Sequence, residues 1–375
     1  MTTEILPDDA ALRAARRERV LAQMEAAGID ILITGREANA RYIAGVPRLW
    51  LNGSRPFGPG CIYVRETGDI HLVQTWDEGV PPDIPHEHLH GITFNGANTV
   101  KMLQGVHGAD AARTVATDGL MPSTARLIRT AYPNAELVDG EQLLREVRRI
   151  KLPEEIDAIR VAIGIAERAL AAAEQAFAVG VTGRQLTGVF MEAMAEEGIT
   201  TPTTQDVARI SSRTEAWANV SRDTAIAADD LVSFDAGVLA GGYIGEVGRT
   251  RCLNGLASAA GSLLDTWDEL WDRLVNACRA GAPATDLLDA YDASGLPAPP
   301  TPVARGLGHG NDLPLVSHAL PKTAAEQKLE AGMVLALTGY VWQEGVGAVY
   351  GQEPVLITDS GPTLLSANPF REARS

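Results

Sequence analysis

Two carboxylates and an imidazole are the residues most capable of chemistry in this sequence. In the stretch FDAGVLAGGYIGEVGRT (residues 234–250), Asp235 is followed by Glu246, and the Gly241-Gly242 pair lies between them. Paired glycines between two apolar runs shape a tight hairpin, which would bring Glu246 back toward Asp235. Such a pair can hold a divalent cation through its oxygens. Without a cation, the two charges repel each other and one carboxyl is held protonated for proton transfer. His309, in GLGHG (306–310), can ligate a metal or carry a proton. The run HEHLH (86–90) has a spacing that would set three imidazoles on one face of a strand, but it lies among prolines and acids. We read it as a solvated loop rather than a metal site.

The elements that position these residues fall into two groups. Over residues 1–149, a helix at 8–28 precedes the short buried strand DILIT (30–34), a short helix ended by Gly45, and the strands GCIYV (60–64) and IHLVQ (70–74). RTVATDG, a helix around 124–130 and AELVDG continue the alternation of strand and helix, the pattern of a small α/β domain. From residue 150 to 375 the pattern changes. Pro153 suits the first turn of a long helix, with Glu154 and Glu155 at its positive end. Ile156, Ile159, Ile163, Ala166 and Leu170 keep a helical period, and TGRQ (182–185) forms a capping box before a second helix. A third helix is expected at about 258–281. Strand-like segments lie at 206–210, 231–238, 243–253, 303–308, 333–341 and 347–357. Helices set against an antiparallel sheet describe an α+β domain. GLPAPPTPVA (295–304) reads as a surface loop near the site.

Composition bounds the function. The 375-residue chain is too long for one ordinary core, and 45% hydrophobic residues suffice to fill two. A formal charge of −16 argues against nucleic acid and anionic membrane partners, since phosphate binding needs clustered cations. The three cysteines lack metal or disulfide spacing, no apolar run is long enough to span a bilayer, and no secretory signal is read at the start. The expected setting is the reducing cytoplasm.

Taken in order, five motifs resemble the creatinase, prolidase and aminopeptidase P superfamily. IKLPEEIDAIR resembles its opening helix, LVSFDAGVLAGGYIGEVGRT its first metal hairpin and GLGHG its Gly-His-Gly strand. LEAGMVLAL and GQEPVLIT resemble the strands that carry its two metal glutamates. The resemblance implies a pita-bread catalytic domain, a curved antiparallel sheet with flanking helices, after a smaller creatinase-type α/β domain. It also implies a homodimer acting on a small-molecule substrate. Metal-dependent members hold two ions with two Asp, one His and two Glu. By the resemblance Asp235, Glu246 and His309 match three of these, with Glu246 in the place of the second Asp. Thr338 and Gln352 fall where the two Glu would be, and Tyr350 where an Arg precedes the last Glu.

Thr and Gln supply no charge, so two divalent ions would face two carboxylates rather than four, which is poor compensation. The expectation is a metal-free site. If one ion is bound, Asp235, Glu246 and His309 would hold it. The histidine that peptidase members place upstream has no counterpart in EAWANVSRDTAIAADD (215–230). The metal-independent ectoine hydrolase branch resembles this chain in its Asp and Glu pair. That likeness implies Glu246 as nucleophile, Asp235 as general base and His309 as proton shuttle. The expected activity is hydrolysis of a C–N bond in a small amidine, guanidine or amide. The alternatives are a mononuclear-metal hydrolase or lyase of a small carboxylated substrate, or a non-catalytic binding protein, with X-Pro dipeptidase least favoured. His318, Thr338, Gln352, Tyr350 and Trp217 are the expected substrate contacts. Trp50 and Arg55, in RLWLNGSRPFGP, form the candidate lid.

Overall fold

The structure is a computed structural model that describes residues 10–46, 58–74, 77, 79–106, 108–119, 121–310 and 312–371. Trp50 and Arg55 lie outside the described residues. The chain divides into two compact units, one of Leu6–Arg148 and one that begins at Arg149. Among the described residues, no helix is long and apolar enough to cross a membrane.

In the first unit the order is α1 (Ala10–Ala26), β1 (Ile31–Thr34), α2 (Glu37–Ala44), β2 (Cys61–Val64), β3 (Ile70–Val73) and β4 (Leu89–His90). It continues with α3 (Gly96–Gln104), β5 (Thr114–Thr117), α4 (Pro122–Ala131), β6 (Glu136–Asp139) and α5 (Glu141–Arg149). One mixed sheet runs β4-β3-β2-β1-β5-β6. Its central strands are continuous apolar runs because both faces are covered. Leu32 packs with Tyr63 and Leu72 on one side, while Ile31 and Ile33 pack with Ile62 and Val115 on the other.

The HEHLH run is not a solvated loop throughout. His86 is exposed beside Asp77, but His88 stacks on His71 of β3 with ring centroids 4.1 Å apart. His90 on β4 approaches His71 through a 3.1 Å contact between Nε2 and Nδ1. Burial first, and then the neighbouring imidazoles, hold His71 down to about 4. His90 is lowered by burial and then by His88. Asp69 is the carboxylate that opposes the shift of His71, and it acts more weakly than the burial and the imidazoles. An unfolded histidine titrates near 6.5, so the unfolded chain takes up a proton that folded His71 refuses. Stability from this group is therefore present above about pH 6.5 and is lost as the pH falls toward 4. Urea titrations at a series of pH values should show wild type losing on the order of 1–2 kcal/mol more than His71→Leu over that interval, after allowance for solvent screening.

The second unit contains α6 (Pro153–Gln175), α7 (Gly183–Glu196), β7 (Ala208–Ile210), β8 (Val232–Ala240), β9 (Tyr243–Arg251), α8 (Leu256–Ala260), α9 (Ser262–Ala277) and α10 (Asp286–Asp292). After these come β10 (Ala304–Gly306), β11 (Asp312–Val316), α11 (Pro321–Ala325), β12 (Val334–Gln343), β13 (Gly347–Thr358) and β14 (Gly361–Leu364). The sheet is ordered β11-β10-β12-β13-β9-β8-β7, with β14 beside β13, and every pairing is antiparallel. The capping box at α7 forms as expected: Thr182 Oγ1 accepts from Gln185 N, and Gln185 Oε1 accepts from Thr182 N. β11 falls in NDLPLVS, outside the strand-like segments read from the sequence. It is an edge strand, so Pro314 removes no ladder bond from the sheet interior.

Alternation along the strands separates core from cavity. Val232, Phe234, Ala236 and Val238 of β8 join α6 and α7 in one cluster. Leu337 and Val341 of β12 join Trp267, Leu270 and Trp271 of α9 in another. At Gly245, an added Cβ would fall far inside contact with the Ala162 and Ile163 backbone, so glycine is what lets α6 lie directly on β9. Arg249, buried on β9, pairs with Glu353 at 2.9 Å and bridges to carbonyls of β13 and the chain end, which ties the strands together behind the cavity.

Candidate functional site

A cavity of about 380 Å³ opens on the sheet face opposite the α6 contacts. It is built on a row of residues in register. Asp235 of β8 faces Gly248 of β9, Gly248 faces Gln352 of β13, and Gln352 faces Thr338 of β12. Glu246 and Tyr350 lie two positions along their strands and so share that face. Gly248 carries no side chain because a Cβ there would lie 2.5 Å from the Tyr350 ring.

Asp235, Glu246, Thr338, Tyr350, Gln352 and Trp217 all line the cavity. Trp217 has a left-handed φ of 66°, uncommon for so bulky a residue, and stacks on Tyr340 with centroids 3.9 Å apart. Trp217 and Tyr350 form walls without filling the space. Pro300, Thr301 and Pro302 of the proline-rich loop close another side.

The two histidines are placed elsewhere, which corrects the sequence reading. His309 is buried, packed edge-on against Tyr243 at 4.2 Å, and is not among the residues lining the cavity. Tyr243 sits on the opposite face of β9 from Glu246, and its hydroxyl donates to Glu155 of α6. His318 meets Asp292 through Nε2 at 2.9 Å and also lies outside the lining. β10 ends at Gly306, and the chain then turns away from the cavity before His309 is reached.

Two arginines that the sequence reading missed occupy the cavity instead. Arg209 of β7 donates to Asp235 Oδ2 at 2.6 Å. Arg305 of β10 donates to Glu246 Oε2. Glu246 also accepts from Thr203 Oγ1 and Gln352 Nε2, each at 3.2 Å, and Thr338 Oγ1 donates to Gln352 Oε1 at 3.1 Å. Arg305 takes the place in the cleft that the resemblance gave to His309. The signal was present in the sequence: ARGLGHG offers two Gly-x-Gly registers, one flanked by Arg305 and one centred on His309. Only strand pairing chooses between them, by setting Arg305 opposite Ala336 on the Thr338 side of β12.

Electrostatics act on the Glu246 carboxyl and on Tyr350. Burial raises the Glu246 carboxyl above the usual carboxylate range; Arg305 opposes this, and Asp235 adds to it. Burial, then the charges of Asp235 and Glu246, push the Tyr350 hydroxyl well above its ordinary value, so it remains an O–H donor. The arrangement can bind acceptor oxygens through guanidinium, hydroxyl and amide donors, and can pass a proton through the raised Glu246 carboxyl.

A curved antiparallel sheet with paired helices behind it and a carboxylate-lined cleft in front, following a small α/β domain, defines the pita-bread class. The chain belongs to metallopeptidase family M24, whose family model matches residues 157–359, and the creatinase/prolidase N-terminal domain matches residues 16–150. It is 26% identical over 235 residues to an Xaa-Pro dipeptidase of Pyrococcus furiosus, covering 60% of this chain and 65% of that protein. It is 23% identical over 380 residues to a creatinase of a Bacillus species, covering 95% and 90% respectively. The chain spans about 65% of the length of the first curated relatives it matches. Among solved structures, the prolidase of Pyrococcus horikoshii OT3 superposes with a TM-score of 0.76 at 19% identity, covering 94% of this chain and 98% of that one.

The family is one of metallopeptidases, which raises the question of divalent ions in the cleft. The side chains here do not fit such ions. The cleft gathers Asp235, Glu246, Arg305, Thr338 and Gln352, two carboxylates with no imidazole among them, and each carboxylate already holds a guanidinium. Among the described residues, no three His, Cys, Asp or Glu side chains gather in a way that could hold a metal ion.

Proposed function

We propose that the chain is a metal-independent hydrolase that cleaves a C–N bond in a small compound bound in the cavity, working as a homodimer in the cytoplasm. The observation that carries this reading is the pairing of Asp235 with Arg209 and of Glu246 with Arg305, two carboxyls in unlike environments. Asp235, paired with Arg209, removes a proton from water, and the resulting hydroxide attacks the substrate carbon. Glu246, whose carboxyl burial shifts toward the protonated form, donates a proton to the leaving nitrogen as the C–N bond breaks. This gives Glu246 the role that the sequence reading assigned to His309. A protonated carboxyl is a proton donor and a poor nucleophile, which argues against a covalent adduct on Glu246. After release of both products, the proton on Asp235 returns to Glu246 through water.

The arginines also bear on the substrate. A cationic amidine or guanidine would compete with guanidiniums already bound to both carboxylates. An amide, or a compound bearing a carboxylate, presents acceptor oxygens to the guanidinium donors and to Tyr350. A guanidinium can also stabilise the charge that develops on oxygen in the transition state. The support is therefore strongest for a small amide or carboxylated substrate.

The test is a panel of small amides, cyclic amidines and X-Pro dipeptides, assayed for amine release by chelator-treated protein. Turnover should be unaffected by EDTA and unchanged by added Mn or Co, and Asp235→Asn should abolish it. Turnover restored only by Mn or Co would refute the proposal. A non-catalytic binding protein is the second reading, favoured by the guanidinium on each carboxylate; it predicts ligand binding with no product from any compound.

A further inference from the structure

The two arginines stand at opposite flanks of the cleft. In the strand order β10-β12-β13-β9-β8-β7, Arg209 reaches inward from β7 to the neighbouring β8. Arg305 lies on β10 and reaches past β12 and β13 to Glu246 on β9. The positions along that path are Thr338 and Gln352, both neutral, bonded to each other, with Gln352 donating to Glu246 as well. A glutamate at either place would lie beside the same guanidinium and draw it away from Glu246.

Formal charge connects these replacements. In the metal-dependent arrangement four carboxylates balance two divalent ions. Here, with both carboxyls ionised, two carboxylates balance two guanidiniums and the sum is again zero; a proton on Glu246 makes the cleft one charge more positive and less hospitable to a divalent ion. Loss of both glutamates without gain of the arginines would leave two partly buried carboxylates uncompensated, and gain of the arginines with both glutamates retained would leave a net negative cleft. Because an arginine carries its charge at every accessible pH and is covalently part of the chain, its compensation is permanent.

We infer that Arg209 and Arg305 are built-in counter-cations that substitute for the two metal ions and exclude divalent metal from the cleft, with Thr338 and Gln352 as the coupled replacements that make room for Arg305. This rests on the cleft being the functional site, but its readout is metal affinity rather than turnover, so a failed substrate search does not touch it.

The experiment is calorimetric titration of the chelator-treated protein with MnCl2 and with ZnCl2. Wild type should show no binding in the cleft up to about millimolar metal. The triple variant R305H/T338E/Q352E, which supplies an imidazole and two carboxylates in place of the guanidinium, hydroxyl and amide, should bind at least about 100-fold more tightly, and this affinity should disappear when Asp235→Asn is added. Circular dichroism and a thermal melt check that the triple variant is folded. If it is not, Arg305→Ala alone serves: removing the guanidinium frees Glu246, and affinity should rise about tenfold. Micromolar metal binding by wild type that is lost in Asp235→Asn would overturn the inference. So would a folded triple variant, or a folded Arg305→Ala variant, no tighter than wild type.

Discussion

Glu246→Gln is expected to lower turnover about 10³-fold while leaving the fold intact, a loss in the range that removal of a positioned proton donor produces. The amide keeps the size of the side chain and can still meet Thr203, and Gln352 can reverse its own amide to suit. What it lacks is a transferable proton. The pH profile distinguishes this from a packing effect. Because the folded Glu246 carboxyl is raised, the wild-type rate should be highest while that carboxyl is protonated and should fall as the pH rises through its elevated value. The same group contributes to stability with the same sign. Its contribution is complete below the unfolded value of about 4.3 and is lost as the pH rises through the folded value. Both limbs should vanish in Glu246→Gln, as read by a rate profile with the identified substrate and by denaturant titrations across pH. A variant that keeps the wild-type rate and descending limb would remove Glu246 from the mechanism.

Gly245→Ala should cost about 3 kcal/mol or more, the upper part of the range for overpacking, because what the methyl meets is backbone rather than a movable side chain. The Ala162 and Ile163 peptide belongs to α6, which is itself fixed by Ile159, Ala166 and Leu170 in the core shared with α7 and β8. The helix must shift as a body or β9 must bulge, and either response moves Glu246, one residue away. The expected result is a lower urea midpoint together with weaker binding in the cavity. By contrast, Gly255→Ala should destabilise only through its left-handed φ of 87°, since nothing lies near an added Cβ there. Equal midpoints for the two variants would show that α6 does not rest on Gly245 as closely as the geometry has it.

Much of the architecture was legible in the sequence because the signals are local. Pro153 with the acidic first turn, the Thr182–Gln185 box and the apolar periods of α6 and α7 involve residues within a few positions of one another. The hairpin holding Asp235 and Glu246 was legible for the same reason, since a nine-residue strand, a two-glycine turn and a second nine-residue strand leave one register. β11 was missed because its proline and acid are tolerated only at an edge, and edge position is a property of the assembled sheet.

The identity of the residues in the cleft lay between these cases. Sequence by itself determined that two carboxylates would meet in a family M24 fold and that the expected glutamates were replaced by Thr338 and Gln352. It could not decide what stood in place of the metal. The distance along the chain from Glu246 to Arg305, or from Arg209 to Asp235, carries no information about contact, whereas strand order and register bring each pair together. His309 illustrates the converse: it sits in the expected motif but beyond the end of β10, where a turn carries it to Tyr243 on the other face. Composition and local pattern settle which groups are available, because those depend on neighbours in sequence. Tertiary structure alone decided which groups share the cavity, because side-chain direction alternates at every residue and a strand that ends early sends the residues beyond it to another face.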